Sequence, residues 1–335
     1  MKILFVHKHL ATFVKIDLDI LRSEHKVREL YVRRHNPLHL IADMARAAKG
    51  VLWADLVFAW FGGYHALFPF IVGRLLGRKC VVIASGYDVA AVPEIGYGNM
   101  RSGVRRTIGL WVFRLAHKVL AVSRFTAQKA ICNAKVSPAK LQVIYHGLEA
   151  PVTCRMYDLP IQRRGALTVS TVKQAALSCK GLVTFVKAAS YLQDVPFTLV
   201  GPWIDDAINS LRTVASSNVE FVGPCYGDSL WERMLSTRVY IQVSASESFG
   251  MAVAEAMLCG CVPVVTDRGA LPEVVGDNGF CVPYGDVQAT VEAIRQALAA
   301  GPEAREHCRQ HIIDTFPLER RKEQLLRAVR ELDSH

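Results

Sequence analysis

The sequence predicts an α/β protein with two doubly wound, Rossmann-like domains. Short apolar segments alternate with helix-patterned segments along most of the chain, which is typical of parallel sheets covered by helices on both faces. The alternation stops near Ala150, where the segment APVTCRMYDLPIQRRG has two prolines and no hydrophobic period, and then starts again. A length of 335 residues also exceeds what one core usually organises, so we expect two domains.

The elements of the first half follow in regular order from the strand ILFV after Lys2. The apolar stretch 56–72 contains a histidine, a Gly-Gly pair and a proline, so it predicts a strand, a loop and a helix and not a membrane span. The predicted elements are helix 13–21, strand VRELYV, helix 38–48, strand DLVFAWF, helix 65–76, strand KCVVIAS, basic helix 101–116, strand KVLAVS, a helix from 124, and strand KLQVIYHG.

The second half repeats the pattern with the strands ALTVSTV, FTLVG, VEFVG, RVYIQVS and CVPVVT, and with helices after Lys180 and Phe249. We therefore predict an acceptor-side domain over 1–150, a donor-binding domain over 151–315, and a C-terminal helix over 316–335 that packs back toward the first domain. Ligands of such sheets bind outside the carboxyl ends of the strands, and we expect the site in the cleft between the two domains.

Composition narrows the class of protein. A charged fraction of 21% excludes a disordered chain, and the nine scattered cysteines favour a reducing compartment. The spacing of Cys259 and Cys261 does not fit a zinc knuckle, and no second pair follows. The apolar start is too short for a secretory signal, so we expect a cytoplasmic location.

The segment SASESFGMAVAEAMLCGCVPVVTD, which begins at Ser244, carries the most informative combination of residues. Glu247 follows a strand, Gly250 opens an apolar helix, and Glu255 lies inside that helix. The first-turn amides of a helix suit a phosphate, and a carboxylate can accept two sugar hydroxyls. This pattern predicts a nucleotide-sugar site. The alternative is that Glu247 complements the helix dipole and Glu255 is a solvated surface acid.

The string ESFGMAVAEAM with GCVPVV, GALPE and NG after it resembles the donor site of retaining glycosyltransferases of family 4, which have the GT-B fold. Weaker matches lie at Lys180-Gly181, LVGP, VEFVG, AVS and HGL, and the resemblance covers most of the chain. It implies transfer of a sugar from a nucleotide-diphosphate sugar to a glycan or lipid-linked acceptor, in polysaccharide or glycolipid synthesis, with retention and without a metal. Family members are usually assigned a front-face route, in which the departing phosphate helps deprotonate the acceptor.

The resemblance also implies roles for individual residues. Glu255 would hold the ribose, Glu247 the transferred sugar, and Lys180 the diphosphate and leaving group. The family usually has an arginine a few residues before this lysine, and here Lys173 is the nearest cation. We predict Glu247 and Lys180 as catalytic and the following as donor-binding: Lys173, Lys180, Val222, Gly223, Glu247, Phe249, Gly250, Met251, Ala252 and Glu255.

The acceptor-side residues depart further from the family. The family often has a His-Gly-x-Asp after the fourth strand, and serine replaces the histidine here. Asp88 is the candidate acceptor-side base, with a loop-capping role as the alternative. We predict the acceptor side at His9, Ser85, Gly86, Tyr87 and Asp88.

Two further features of the sequence concern charged residues. Asp17-x-Asp19 mimics a metal-binding signature but lies in a helix-patterned segment, so we interpret it as a solvated face. Residues 1–150 carry 22 Lys/Arg against 9 Asp/Glu, a net charge of +13, whereas residues 151–335 carry a net charge of −3.

The segment 101–118 combines Arg101, Arg105 and Arg106 with Trp111 beside an apolar stripe. It predicts a peripheral contact with an anionic membrane at the inner face of the cell membrane. The alternative is an ordinary half-buried helix. No nucleic-acid motif accompanies the charge, so we expect no nucleic-acid partner.

Two other functions remain open from the sequence. One is a nucleotide-sugar 2-epimerase on the same fold, and the other is a non-catalytic membrane-associated protein with a degenerate site.

Overall fold

The protein is described here as a computed structural model that covers residues 1–32, 37–150 and 162–333. The chain divides into two compact units, Met1–Gly147 with Leu318–His335, and Leu148–Pro317. The two unit boundaries lie close to the predicted ones. Most of the predicted linker falls on residues 151–161, which are outside the described residues.

The first unit is built on a parallel six-stranded sheet of order β2-β1-β3-β4-β5-β6. Its strands are β1 (Lys2–His7), β2 (Lys26–Tyr31), β3 (Leu56–Trp60), β4 (Lys79–Ala84), β5 (Lys118–Ala121) and β6 (Leu141–Val143). Its helices are α1 (Thr12–Glu24), α2 (Pro37–Trp53), α3 (Tyr64–Leu75), α4 (Gly103–Leu115), α5 (Arg124–Ala134) and the C-terminal helix Leu318–Asp333, with short 3-10 turns at Pro93–Ile95 and Pro138–Lys140.

Successive residues of the strands in the first unit face two different apolar layers. Leu4 and Val57 belong to one layer, and Phe5 and Phe58 belong to the other. A parallel sheet covered on both faces needs continuous apolar strands, which explains why ILFV and LVFAW show no polar alternation.

The C-terminal helix packs on α1 through a buried ion pair. Nε and Nη2 of Arg321 each donate to one oxygen of Asp17 at 2.7 Å, and both side chains are almost fully buried. The interpretation of Asp17 as part of a solvated face was therefore wrong. Its partner lies 304 positions away in the sequence, and only the fold brings the two together. Asp19, by contrast, is exposed.

The second unit has a parallel six-stranded sheet of order β12-β11-β10-β7-β8-β9. Its strands are β7 (Arg164–Val169), β8 (Phe197–Val200), β9 (Val219–Gly223), β10 (Thr237–Gln242), β11 (Val262–Thr266) and β12 (Phe280–Val282). Its helices are α6 (Gln174–Cys179), α7 (Leu182–Ser190), α8 (Ala207–Val214), α9 (Asp228–Leu235), α10 (Met251–Leu258), α11 (Leu271–Val275), α12 (Val287–Ala299) and α13 (Pro302–Thr315).

The two sheets reverse their strand order at different places. In the second unit the strands follow the dinucleotide-binding order, and the reversal falls between β7 and β10. In the first unit the reversal falls between β1 and β3. Ligands of open α/β sheets bind outside the carboxyl ends of the strands at such a reversal, so each unit has one place where a site is expected.

Candidate active site

The central feature of the second unit is an ion pair at the carboxyl end of β10. Nζ of Lys180 donates to Oε1 of Glu247 at 2.5 Å, and Nε2 of Gln242 donates to the same oxygen at 2.7 Å. Oε2 of Glu247 has no hydrogen bond among the described residues. One oxygen of the carboxylate is thus anchored, and the other remains able to accept from a ligand.

Backbone contact brings Lys180 to Glu247. The N–H of Ala245 donates to the carbonyl of Cys179 at 2.8 Å, which ties the end of α6 to the loop after β10. Gly181 lies in the left-handed region with φ of 66°, and a Cβ there would lie 1.9 Å from the carbonyl oxygen of Val243. Because only glycine fits this close approach, Gly181 is a structural requirement of the site, and it fixes the backbone next to Lys180.

The loop that carries Glu247 is held from its other side by Gly269. A Cβ at Gly269 would lie 2.5 Å from the backbone N and O of Glu247, and the N–H of Ala270 donates to the Glu247 carbonyl at 2.9 Å. The side chain of Glu247 therefore starts from a backbone that is fixed by two neighbouring segments.

A series of buried hydrogen bonds holds the side chain that contacts Glu247. The N–H of Val169 donates to the hydroxyl of Tyr240 at 3.3 Å, and this hydroxyl donates to Oε1 of Gln242 at 3.1 Å. These contacts fix the amide orientation of Gln242 so that its nitrogen faces Glu247. Sequence analysis missed Gln242, although a glutamine inside the apolar strand RVYIQVS is a signal for a buried polar role.

The charge state of Lys180 depends on this pair. Burial acts to lower the pKa of Lys180, but the adjacent Glu247 carboxylate outweighs it through its charge and hydrogen bond, so the pKa is raised. A lysine held protonated in this way is a permanent positive charge at the end of the sheet.

Glu255 and the first turn of α10 lie next to this loop in the chain. Gly250 caps the helix with φ of 102°, and the amides of Met251 and Ala252 belong to the turn whose N–H groups have no partner within the helix. Glu255 is half-buried and has no hydrogen bond or ion pair among the described residues. Burial raises its pKa to about 7. The interpretation of Glu255 as a solvated surface acid does not fit this burial.

Several predicted donor residues lie elsewhere. The ring of Phe249 is 1% exposed and packs edge-on against Phe316, so its side chain is a core residue and not a donor contact as predicted. Lys173 caps the N-terminal end of α6 and Lys180 its C-terminal end, so roughly 10 Å of helix separates their backbones. Val222 and Gly223 end the edge strand β9.

The predicted acceptor-side residues occupy the loop after β4. Asp88 is 1% exposed and accepts hydrogen bonds from the N–H groups of Gly62, Ser85 and Gly86 at 2.8, 3.1 and 2.9 Å. Burial raises the pKa of Asp88, while these donors act in the opposite direction. This geometry favours the loop-capping role over the role of a base.

The remaining acceptor-side candidates differ in position. Tyr87 lines a cavity of about 300 Å³ in the first unit, and His9 is exposed and stacks on Phe61 at 5.2 Å between ring centroids. The cavity is also lined by Lys8, Gly63, Tyr64, His65, Asn99, Arg105 and Ile108. Sequence analysis did not identify this cavity.

The basic segment predicted at a membrane forms α4. Trp111 is 49% exposed and Val104 is 75% exposed, while Gly109, Val112 and Phe113 are buried. No helix within the described ranges combines enough length and apolar character to cross a bilayer.

Two Rossmann-like units, with a carboxylate–ammonium pair at the strand-order reversal of the second, define a protein of the GT-B class. Residues 165–300 match the family model described as glycosyl transferases group 1. The chain is 30% identical over 305 residues to the N-acetyl-alpha-D-glucosaminyl L-malate synthase of Bacillus anthracis, which covers 85% of this chain and 76% of that protein. The chain therefore belongs to the glycosyl transferases group 1 family.

Two other proteins illustrate the similarity. The O-antigen chain mannosyltransferase B of Escherichia coli is 33% identical over 98 residues, and this match covers 29% of this chain and 26% of the mannosyltransferase. The structure of the Anabaena protein HepE in complex with UDP-glucose matches with a TM-score of 0.79 at 18% identity, covering 99% of this chain and 100% of HepE. The similarity to the HepE structure shows that the GT-B fold extends over the whole chain.

Proposed function

We propose that this protein is a retaining glycosyltransferase that takes a sugar from a nucleoside diphosphate sugar and transfers it to a glycan or lipid-linked acceptor. The observation that carries the proposal is the Lys180–Glu247 pair at the strand-order reversal of the second unit, with the unpaired carboxylate of Glu255 on the following helix. Family membership supports the reaction class, and the UDP-glucose bound by the structurally similar HepE supports a sugar nucleotide as donor.

Different residues bind different parts of the donor. The carboxylate of Glu255 accepts both ribose hydroxyls, and burial without a protein partner leaves it dependent on such a ligand. The first-turn amides of α10 meet the diphosphate, where the helix end carries partial positive charge. Oε2 of Glu247 accepts a hydroxyl of the transferred sugar while Lys180 and Gln242 hold Oε1.

Lys180 is placed to stabilise the leaving group. When the bond from the anomeric carbon to the diphosphate breaks, negative charge develops on the diphosphate oxygen, and a fixed ammonium there lowers the barrier. This charge does the work that a metal performs in other phosphate-transferring sites, so we propose a metal-independent reaction. Glu247 already holds the lysine through one oxygen, and a covalent double displacement is not proposed.

The retention of configuration follows the front-face route expected for the family. In that route the departing phosphate accepts the proton of the acceptor hydroxyl on the same face of the sugar, and the protein supplies positioning and electrostatics. A role in cell-surface polysaccharide or glycolipid synthesis agrees with the mannosyltransferase relative, whose name refers to an O-antigen chain.

A thermal-shift panel of nucleoside diphosphates and nucleotide sugars tests the donor assignment. A ligand at a hundred times its dissociation constant stabilises a protein by about 2.7 kcal/mol, which corresponds to a rise of several degrees in melting temperature. We expect one nucleotide series to give this rise in the wild type and Glu255→Ala to remove it. If no nucleotide or nucleotide sugar stabilises the wild type, the proposal fails and a non-catalytic role is favoured.

The reaction itself is tested with the donor that the panel identifies. We expect transfer only when an acceptor is present, with the anomeric configuration of the donor kept in the product by NMR. Conversion of the donor to its 2-epimer without acceptor would replace the transferase proposal with the epimerase, and an inverted product would exclude retention. Turnover in the presence of EDTA tests independence from metal.

A further inference from the structure

The cavity in the first unit lies at the strand-order reversal of its own sheet. Lys8 follows the carboxyl end of β1, and Gly63 and His65 follow the carboxyl end of β3, the two strands between which the order reverses. Its volume of about 300 Å³ is at the small end of the range of ligand pockets and suits a molecule the size of a monosaccharide.

The lining of this cavity is positively charged. Lys8 and Arg105 are its cationic residues, and no carboxylate belongs to the described residues that line it. The first turn of the twelve-residue helix α3 also lines the cavity, and the N-terminal end of a helix adds partial positive charge. Because all these contributions have the same sign, the cavity favours an anionic group.

His65 adds a directional requirement. Its side chain is 2% exposed, and its Nε2 lies 2.6 Å from the carbonyl oxygen of Trp60, so Nε2 carries the proton and donates. Burial, together with nearby cations, lowers the pKa of His65 to about 4, so the ring is neutral at pH 7. Nδ1 is then an acceptor, and it has no hydrogen-bond partner among the described residues.

The acceptor edge of this buried ring lies beside Gly63, and both residues belong to the lining of the cavity. A Cβ on Gly63 would lie 3.2 Å from Nδ1 and from Cε1 of His65, and Gly63 itself lines the cavity. A buried acceptor without a partner costs free energy, and a ligand hydroxyl that donates to it recovers that cost. The polar groups of Tyr64, Tyr87 and Asn99 complete a lining suited to a hydroxylated molecule.

We propose that this cavity binds the acceptor substrate and that the acceptor is a small hydroxylated anion, with its phosphate or carboxylate held by Lys8 and Arg105 and one hydroxyl donating to Nδ1 of His65. The assignment of this ligand as an acceptor rests on the proposed transferase function, whereas the chemistry of the cavity does not. A soluble sugar phosphate or hydroxy acid and the glycerol phosphate headgroup of an anionic lipid share this chemistry.

The test is calorimetric titration of the full chain with charged and uncharged probe pairs, with and without the nucleoside diphosphate that the thermal-shift panel identifies. The pairs are glucose 6-phosphate with glucose, and glycerol 1-phosphate with glycerol, and L-malate is added as a hydroxy acid. We expect the charged member of at least one pair to bind about tenfold or more tightly than its uncharged partner, because charged hydrogen bonds are replaced by none. Preference for glucose 6-phosphate or L-malate identifies a soluble acceptor, which would replace the glycan or lipid-linked acceptor proposed above, and preference for glycerol 1-phosphate identifies a lipid headgroup.

Two neighbouring arginines of α4 provide the matched control. Arg105 lines the cavity and Arg106 does not, so Arg105→Ala should weaken binding about fivefold or more and Arg106→Ala less than about twofold. Equal effects of the two substitutions would mean general surface electrostatics and would overturn the proposal. So would equal binding of charged and uncharged probes.

A second variant tests His65 without removing a charge or unpacking the core. Gly63 has φ of −135°, so alanine is tolerated by the backbone, and its methyl group would cover Nδ1 of His65. Gly63→Ala should weaken the same probes while leaving the melting temperature nearly unchanged, and unchanged probe affinity would remove His65 from the site. Titration of the nucleoside diphosphate that the thermal-shift panel identifies into each variant separates this result from the donor proposal, because the proposed donor site belongs to the second unit.

Discussion

The sites that we propose in the two units both lie at the strand-order reversal of their own sheet, but they are assembled in different ways. In the second unit the key groups come from two short segments, Lys180-Gly181 and residues 242–270, which are joined by backbone contacts that require glycine. In the first unit Lys8, His65 and Arg105 come from three separate loops and helices. A site built from compact segments leaves a motif in the sequence, and a site assembled by topology does not.

The largest expected effect tests whether the position of the Lys180 charge, and not only its sign, matters for turnover. Lys180→Ala should lower the turnover number by about 100- to 1000-fold at saturating donor, since a fixed charge at the leaving group acts mainly in the transition state. Lys173→Ala removes an equal charge at the other end of α6 and should cost less than about tenfold. Steady-state kinetics with the identified donor measure both, and the melting temperature verifies the fold.

If the two lysine variants lose similar activity, Lys173 takes the place of the family arginine. The positive charge that stabilises the leaving group would then come from both ends of α6. If Lys180→Ala changes only the Michaelis constant, the lysine binds the ground state and transition state equally.

The next effect compares two glycines with positive φ. One, in the second unit, lies close to a neighbouring backbone, and the other, in the first unit, has free space around it. Gly181 and Gly77 have nearly the same φ, 66° and 68°, but a Cβ at Gly181 would meet the Val243 carbonyl, whereas nothing lies within 4 Å of a Cβ at Gly77. Gly77→Ala should cost about 1 kcal/mol from backbone strain alone, and Gly181→Ala about 3 kcal/mol or more. Urea unfolding gives both values, and equal costs would show that the contact at Gly181 relaxes freely.

The two units also show which features could be predicted from the sequence and which could not. The alternation of apolar strands and helices predicted the two sheets, because burial on both faces leaves continuous apolar runs such as LVFAW. The string around Glu247 predicted the residues that we propose as the donor site, because its glycines and charges are close in sequence. Asp17 was misinterpreted because its partner Arg321 is 304 positions away, and Phe249 because a motif does not tell which side chain turns into the core.

The third effect concerns Glu255 and pH. Burial raises the pKa of Glu255 to about 7, above its usual value of 4.5, so the carboxylate forms only as pH rises through about 7. We expect the affinity for the nucleoside diphosphate that the thermal-shift panel identifies to increase across this range, and Glu255→Ala to weaken that binding by about 1.5–3 kcal/mol at pH 8. Calorimetry at pH 6 and pH 8 measures both, and affinity that is independent of pH would contradict the role.

The same pKa predicts an opposite effect on stability. The contribution of Glu255 to folding is fully present below about pH 4.5 and is lost as pH rises through about 7, because the folded state then holds an ionised group that the unfolded chain would solvate. Glu255→Gln should therefore be more stable than the wild type at pH 8, by about 1–3 kcal/mol, and nearly equal to it at pH 4.5. A variant that is less stable at pH 8 would mean that the carboxylate has a stabilising partner.

The smallest expected effect is the contribution of each basic residue to membrane binding. It tests whether the excess of positive charge in the first 150 residues binds the protein to an anionic membrane. We expect binding to vesicles of phosphatidylglycerol and phosphatidylcholine, little binding to phosphatidylcholine alone, and loss of binding at high salt as the Debye length shortens. Each basic residue at such a surface contributes about 1 kcal/mol, so reversal of Arg101 and Arg106 should reduce vesicle binding by more than about tenfold. The matched control is reversal of Lys187 and Arg295 in the second unit, which are exposed and change the total charge equally. Co-sedimentation separates the outcomes. Equal losses would show that total charge decides. A wild type that stays in the supernatant with anionic vesicles at low salt would mean that Arg101 and Arg106 serve soluble anions and not a membrane.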